Sequence, residues 1–322
     1  MSMKTLVNVV TNVALLSGLV FSGIAYADQQ RVDERLEVPA DVFVKIENMR
    51  GDVRISGTDE NYAEVKGELD KYATGLTFTL DGSTLSIIVD MEERNNFSGD
   101  EATDLSITLP RSAKLSVEGV STDFWVNDFN SDVRVNSVSG DLEAQNVTGN
   151  IRLNSVSGDV QGKNLAGTVQ MKSVSGDILD RSNKATTVSY GSTSGDINAA
   201  STASEVTAET VSGDIELALD EVKELELRSV SGDAEAYFVL LNNGRVTGES
   251  VSGDVALAIR GNVNAKVSAQ VSGGGSIVNR LSDARAEESR WGIGASLETT
   301  IGSGSGVIEV TTMSGDIRLT KN

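Results

Sequence analysis

Between residues 137 and 177, apolar and polar positions repeat in a frame nine residues long. Glycines fall at 140, 149, 158, 167 and 176. Apolar residues follow each glycine at two, four and seven places: Leu142, Ala144 and Val147, then Ile151, Leu153 and Val156, and after Gly167, Val169, Met171 and Val174. The first two of each set are alternate residues of a short strand, so both face one way while Glu143, Arg152 and Gln170 face water. The third follows a break in alternation and is expected to turn inward after a corner. The words at the glycines alternate as well. Ser-Val-Ser-Gly-Asp stands at Gly140, Gly158 and Gly176, whereas Val-Thr-Gly-Asn and Leu-Ala-Gly-Thr lie between. The full repeat is therefore eighteen residues in two halves. It predicts an all-β parallel β-solenoid (β-helix), each coil two nonapeptide halves, stacked at about 4.8 Å with right-handed crossovers.

The frame extends both ways. Backwards, Ser131, Thr122 and Ala113 take the glycine position, with inward triplets Val133, Val135, Val138; Phe124, Val126, Phe129; and Leu115, Val117, Val120. Forwards, the anchors are Gly195, Gly213, Gly232, Gly253 and about Gly273, with inward sets such as Val206, Ala208, Val211 and Leu225, Leu227, Val230. Uneven spacing there predicts bulges, the largest at residues 237–241. Residues 42–56 hold an early copy with Gly51-Asp52 as its corner and Val53 and Ile55 after it, and residues 57–104 read as irregular strands. Residues 282–291 suggest a short helix capped by Ser282 or Asp283. A last coil is expected over Gly306 to Leu319, with Gly315-Asp316 as its corner. The expected organisation is a signal peptide at 1–27, irregular N-terminal capping coils at 28–104, a regular solenoid at 105–273 and C-terminal closing coils at 274–322. Residues 28–322 would form one continuous domain.

Residues 1–27 fit a secretory signal: Lys4, an apolar stretch, and Ala25-Tyr26-Ala27 as cleavage site. Export to the periplasm or cell surface follows, with no integral membrane segment once the signal is cleaved. The net charge is −20, and loss of Lys4 takes it one unit further, to −21. Such an acidic surface argues against nucleic acid as partner. The chain has no Cys and no His, which removes the usual zinc ligands, the commonest general base and the thiol nucleophile. No cofactor is implied.

The repeated Ser-Val-Ser-Gly-Asp, Leu109-Pro110 before the regular coils, and the closing Met-Ser-Gly-Asp-Ile-Arg-Leu resemble the DUF4097 family of β-strand-repeat, adhesin-like proteins. The resemblance implies a non-catalytic cell-envelope protein that binds an unknown envelope protein or glycan. An alternative is a calcium-stabilised repeat module. Carboxylates at Asp141, Asp159, Asp177, Asp196, Asp214, Asp233 and Asp254 would stack about 5 Å apart and repel by about 1 kcal/mol in water, so backbone N–H groups or a cation must compensate. The calcium-binding nonapeptide carries more glycines and a spacer after its Asp, and both are missing here. A glycan-cleaving β-helix enzyme is the second alternative, but no acid–base cluster is seen. The residues singled out are structural turn positions: Gly140, Asp141, Gly158, Asp159, Gly176, Asp177, Gly195, Asp196, Gly213, Asp214, Gly232, Asp233, Gly253, Asp254, Gly315 and Asp316. Arg50-Gly51-Asp52 spells an integrin tripeptide, yet its Gly-Asp is a repeat corner. Trp125 is expected to point outward, and Trp291, Tyr237 and Phe238 to cover irregular points.

Overall fold

The computed structural model describes residues 29–93, 101–289 and 293–322. The signal-peptide expectation and Trp291 fall outside them. Every regular element among the described residues is a β-strand. In the middle of the chain the strands form two parallel rows with an eighteen-residue offset. In one row, Thr148–Ser155 lies between Val133–Ser137 and Ala166–Lys172, placing Ile151 beside both Val133 and Val169. In the other, Val160–Lys163 lies between Leu142–Gln145 and Ile178–Asn183. Alternation directs Leu142, Ile151, Leu153, Val160, Val169 and Met171 inward, all at 1% exposure or less. They belong to one apolar cluster that runs from Val38 to Leu319.

The two corners of each repeat differ, and the difference overturns one expectation. At the first corner, Asp128, Asn146, Asn164 and Ser182 have φ between 53° and 66°. This left-handed backbone suits Asn and Asp, and it breaks the alternation. Val147 and Leu165 can then turn back inward and are fully buried. The side chains also bond along the stack: Asn146 Nδ2 donates to Asp128 Oδ1 at 2.9 Å, and Asn164 Nδ2 to Asn146 Oδ1 at 2.8 Å. At the second corner the alternation runs on unbroken. Ser155 and Ser173 therefore point in, and the valine after each points out. Val120, Val138, Val156, Val174, Val211 and Val230 were expected inside, but each is 44–48% exposed.

The ends depart further from a purely parallel stack. Phe43–Thr58 pairs in parallel with Lys114–Asn127 on one side and with Thr84–Met91 and Thr103–Pro110 on the other. Antiparallel strands then cover the outermost edges. Tyr62–Glu68 lies on Thr103–Pro110, Arg31–Glu37 on Tyr62–Glu68, and Ala73–Asp81 on Thr84–Met91. The other end uses the same device. Gly306–Ser314 lies between Ala234–Ser252 and Ala265–Gly274, and Ile317–Lys321 between Val255–Ile259 and Ile277–Asn279. Ala295–Ile301 runs antiparallel along Ala265–Gly274. The last strands in sequence are thus not last in space. The final coil was expected to close the stack; it is inserted one layer in. Gly275, not Gly273, takes the outermost corner: its backbone has φ +134°, and a Cβ there would meet Gly315 O at 2.1 Å. Over its described part, residues 282–289, the expected helix is also absent. Asn279 Nδ2 donates to Ser282 Oγ and Ala284 O, and Glu287–Glu288 is a short strand against Ala295–Ile301.

The inserted layer carries Ile308, Val310, Ile317 and Leu319, all fully buried. At about 1.5–3 kcal/mol each, they contribute on the order of a whole domain's net stability. A chain ending at residue 305 is therefore expected to lose cooperative thermal unfolding by circular dichroism. Removing residues 321 and 322 alone should leave the transition in place.

Candidate functional site

The second corners make one continuous edge. Ser139 N–H donates to Val120 O at 2.7 Å, and Ser157, Ser175 and Ser194 repeat this to Val138, Val156 and Val174 at 2.9 Å. The backbone thus stays in register through the corner, so the outward side chains stack layer on layer. In order they are Val120, Val138, Val156, Val174, Thr193, Val211, Val230, Val251 and Met313. Eight of the eleven exposed large apolar side chains among the described residues lie on this ridge. At the strand spacing it is roughly 40 Å long.

Small hydroxyls form the floor beneath it. Ser155 Oγ accepts the Gly158 N–H at 2.9 Å and donates to Gly140 O at 3.2 Å; Ser173 does the same with Gly176 and Gly158. The glycine is there for closeness: a Cβ on Gly158 would lie 2.0 Å from Gly140 O, with φ not in the left-handed range. From Gly213 onward the corner changes. Gly232 has φ +135°, its N–H donates to Ser252 O at 3.2 Å, and the strand before it extends as far as Ser231.

Beyond the glycines stands the aspartate ladder. The N–H of Asp141 donates to Asp123 Oδ1, and the pattern continues through Asp159, Asp177, Asp196, Asp214, Asp233, Asp254 and Asp316 at 2.7–2.9 Å. Asp123, which precedes the first Ser-Gly-Asp word, begins it, and Ser276 N–H on Asp316 Oδ1 at 2.8 Å ends it. Each carboxylate from Asp123 onward therefore has a backbone donor from the next layer. The two hydrogen bonds from Ser276 hold the Asp316 carboxyl below its usual range. No group of three or more potential ligands stands ready to hold a metal among the described residues.

A polar cluster around Asp180 lies inside the stack, at a position where the repeat calls for an apolar residue. Asp180, at an inward strand position, is 1% exposed. Its Oδ2 accepts from Tyr190 OH at 2.7 Å and Asn183 Nδ2 at 2.5 Å. Gly162 in the adjacent layer makes the room, since a Cβ there would lie 2.8 Å from Asp180 Oδ1. Burial raises the Asp180 pKa against these hydrogen bonds, and burial followed by the Asp180 charge pushes the Tyr190 hydroxyl well up. Aspartate in an inward slot was the available signal.

The remaining singled-out residues scatter. Arg50 is ion-paired with the fully buried Asp70, and Asp52 with Arg54, so the tripeptide is not displayed as a free loop. Trp125 is half-buried beneath the Arg54 guanidinium, 4.9 Å from its ring. Tyr237 OH donates to Glu235 Oε1 at 2.5 Å. Phe238, expected at an irregular surface point, is fully buried.

A family model described as Toastrack DUF4097 matches residues 43–247 and 223–320. No curated protein matches the chain. Among solved structures it is similar to a candidate lipid-binding protein from Parabacteroides distasonis ATCC 8503, with TM-score 0.45 and 15% identity over 90% of this chain and 96% of that one. A candidate adhesin from the same strain gives 0.44 and 14%, over 72% and 94%. A candidate adhesin from Bacteroides fragilis NCTC 9343 gives 0.42 and 12%, over 92% and 99%. These scores are too low to carry any activity across.

Two measurements check this geometry. If backbone donors compensate the ladder, EDTA leaves the melting midpoint unchanged and Asp159→Asn is close to neutral. Asp159→Ala should lower the midpoint by about 2 °C. A calcium-dependent midpoint would contradict this. For Asp180, a raised folded pKa means that the folded state binds the proton more tightly. Stability is then greatest at acid pH and declines as pH rises from the ordinary Asp value near 3.9 through the raised one. Melting of Asp180→Asn across pH 3–8 should lack that decline.

Proposed function

The chain belongs to the Toastrack DUF4097 family, and on that footing we propose that it is a non-catalytic, exported envelope protein that binds its partner along the valine ridge. The two parallel rows and their repeated register support a β-solenoid, with residues 28–322 as one continuous domain. In this reading the Ser-Gly-Asp corners, Gly140-Asp141 through Gly315-Asp316, serve structure rather than chemistry: they hold the ridge straight. The single observation that carries the proposal is the ridge itself. The inward apolar columns already supply the core, and they do not account for an apolar residue facing outward in nearly every layer. A contiguous apolar strip of this size marks an interaction surface. Export is supported by the signal-like N-terminal sequence. No helix among the described residues is long and apolar enough to cross a membrane. An adhesin-like or scaffolding role fits a repetitive edge, which offers the same contact many times and so favours multivalent binding.

Thr193 already occupies a ridge position and shows which substitution the fold accepts. The variant Val138→Thr/Val156→Thr/Val174→Thr keeps the β-branched shape and removes apolar surface. We expect it to melt within a few degrees of the parent, while retention of the purified chain on envelope membranes falls about tenfold. A folded variant retained as well as the parent would refute the ridge as the binding surface.

A further inference from the structure

We propose that a second surface, the outward face of Val133–Ser137, Thr148–Ser155, Ala166–Lys172 and Thr187–Ser192, binds an acidic polysaccharide. The inference rests on the reading of the chain as a binding protein and names a ligand class for a separate face.

Alternation turns Arg134 and Asn136, Arg152 and Asn154, Gln170 and Lys172, and Ser189 and Gly191 outward. The register sets Arg134 beside Arg152, Arg152 beside Gln170, and Asn154 beside Lys172. None of these four strands contains an Asp or Glu, in a chain with 47 acidic residues against 27 basic ones. Arg134, Arg152 and Lys172 are exposed, and no carboxylate among the described residues pairs with them. Further along the same row, Arg228 is held by Glu209, Glu226 and Glu249, and Arg245 by Glu309. Carboxylates were plentiful, yet this face has none. Two guanidinium groups one strand apart repel by about 1 kcal/mol in water, and a bound anion relieves that repulsion.

The neutral groups between the cations narrow the chemistry. Asn136, Asn154, Gln170 and Ser189 both donate and accept, which suits a ligand rich in hydroxyls. Guanidinium groups suit carboxylate or sulfate. The Lys172 stem lies over Gly191, where a Cβ would be 3.6 Å from its Cγ. Beside it a groove of about 570 Å³, lined by Asn154, Lys172, Gly191, Val174, Val211 and a Glu209 already ion-paired with Arg228, leads to the ridge. Three cations on a chain of net charge −20 are too few for a densely charged polymer such as DNA, which the rest of the surface repels. A sugar chain with a charge at intervals matches both features.

Affinity electrophoresis of the full chain in gels holding polygalacturonate, dextran or duplex DNA tests this. Polygalacturonate should retard the parent, and dextran and DNA should not. Arg134→Gln/Arg152→Gln/Lys172→Gln should weaken the retardation at least tenfold. Lys163→Gln/Arg181→Gln/Lys184→Gln, with two positions on the other row, the third at the corner after it, and the same charge change, should weaken it less than threefold. Melting curves establish that both are folded, and Arg152→Gln alone serves if the first triple is not. An unretarded parent, equal retardation by DNA, or equal loss in the two triples would overturn the proposal. The threonine ridge variant should keep polygalacturonate binding. Its loss of envelope retention alone bears on the ridge, and loss of polygalacturonate binding by the cation triple alone bears on this face.

Discussion

At the glycine corners one layer's backbone approaches the next too closely to admit a side chain, and much else depends on it. A single methyl group at Gly140, Gly158 or Gly176 would lie 1.8–2.1 Å from a carbonyl oxygen of the preceding layer. Layers can come this near only where no side chain intervenes. Once they do, the next N–H is within reach of the previous aspartate, and the serine three residues before the glycine is within reach of two backbone groups. Register is then fixed at one edge, and strand pairing carries it across both rows. Each layer repeats the same contacts, so the apolar columns inside and the valine ridge outside are two consequences of one constraint.

The same constraint explains why the ridge was misread from sequence. Both halves of the repeat place an apolar residue seven places after glycine, and hydrophobicity alone cannot tell Val147 from Val156. What separates them is the residue before. Asn146 has left-handed backbone and resets the alternation, while Ser155 does not and takes the inward slot itself. An asparagine against a serine was the readable signal, and it concerns backbone conformation rather than burial. The inward residues of the strands, the eighteen-residue register and the aspartate edge were legible because they follow from period alone. Asp180 was visible as an aspartate in an inward slot, but its partner Tyr190 comes from the neighbouring row, which only the folded register brings near.

The ends were hardest to read because their order in space departs from their order in sequence. Periodicity says which segments can form a layer; it does not say between which layers a segment lies. At both ends one strand layer is inserted beneath a later or earlier one, and antiparallel strands shield what would otherwise be open edges. The insertion buries both sides of a terminal layer. It gives the stack ends that do not simply peel away, and it leaves the long regular edge as the repeated surface open to partners.

The central claim is that outward valines of successive repeats stand directly above one another. The chain has no cysteine, so introduced pairs report cleanly. Neighbouring layers lie about 4.8 Å apart, within the Cα separation of a disulfide; alternate layers lie about twice as far apart and outside it. Mild oxidation should therefore cross-link Val138→Cys with Val156→Cys within one molecule, and leave Val138→Cys with Val174→Cys free. Cross-linking of the second pair, or none in the first, would contradict the stacked ridge.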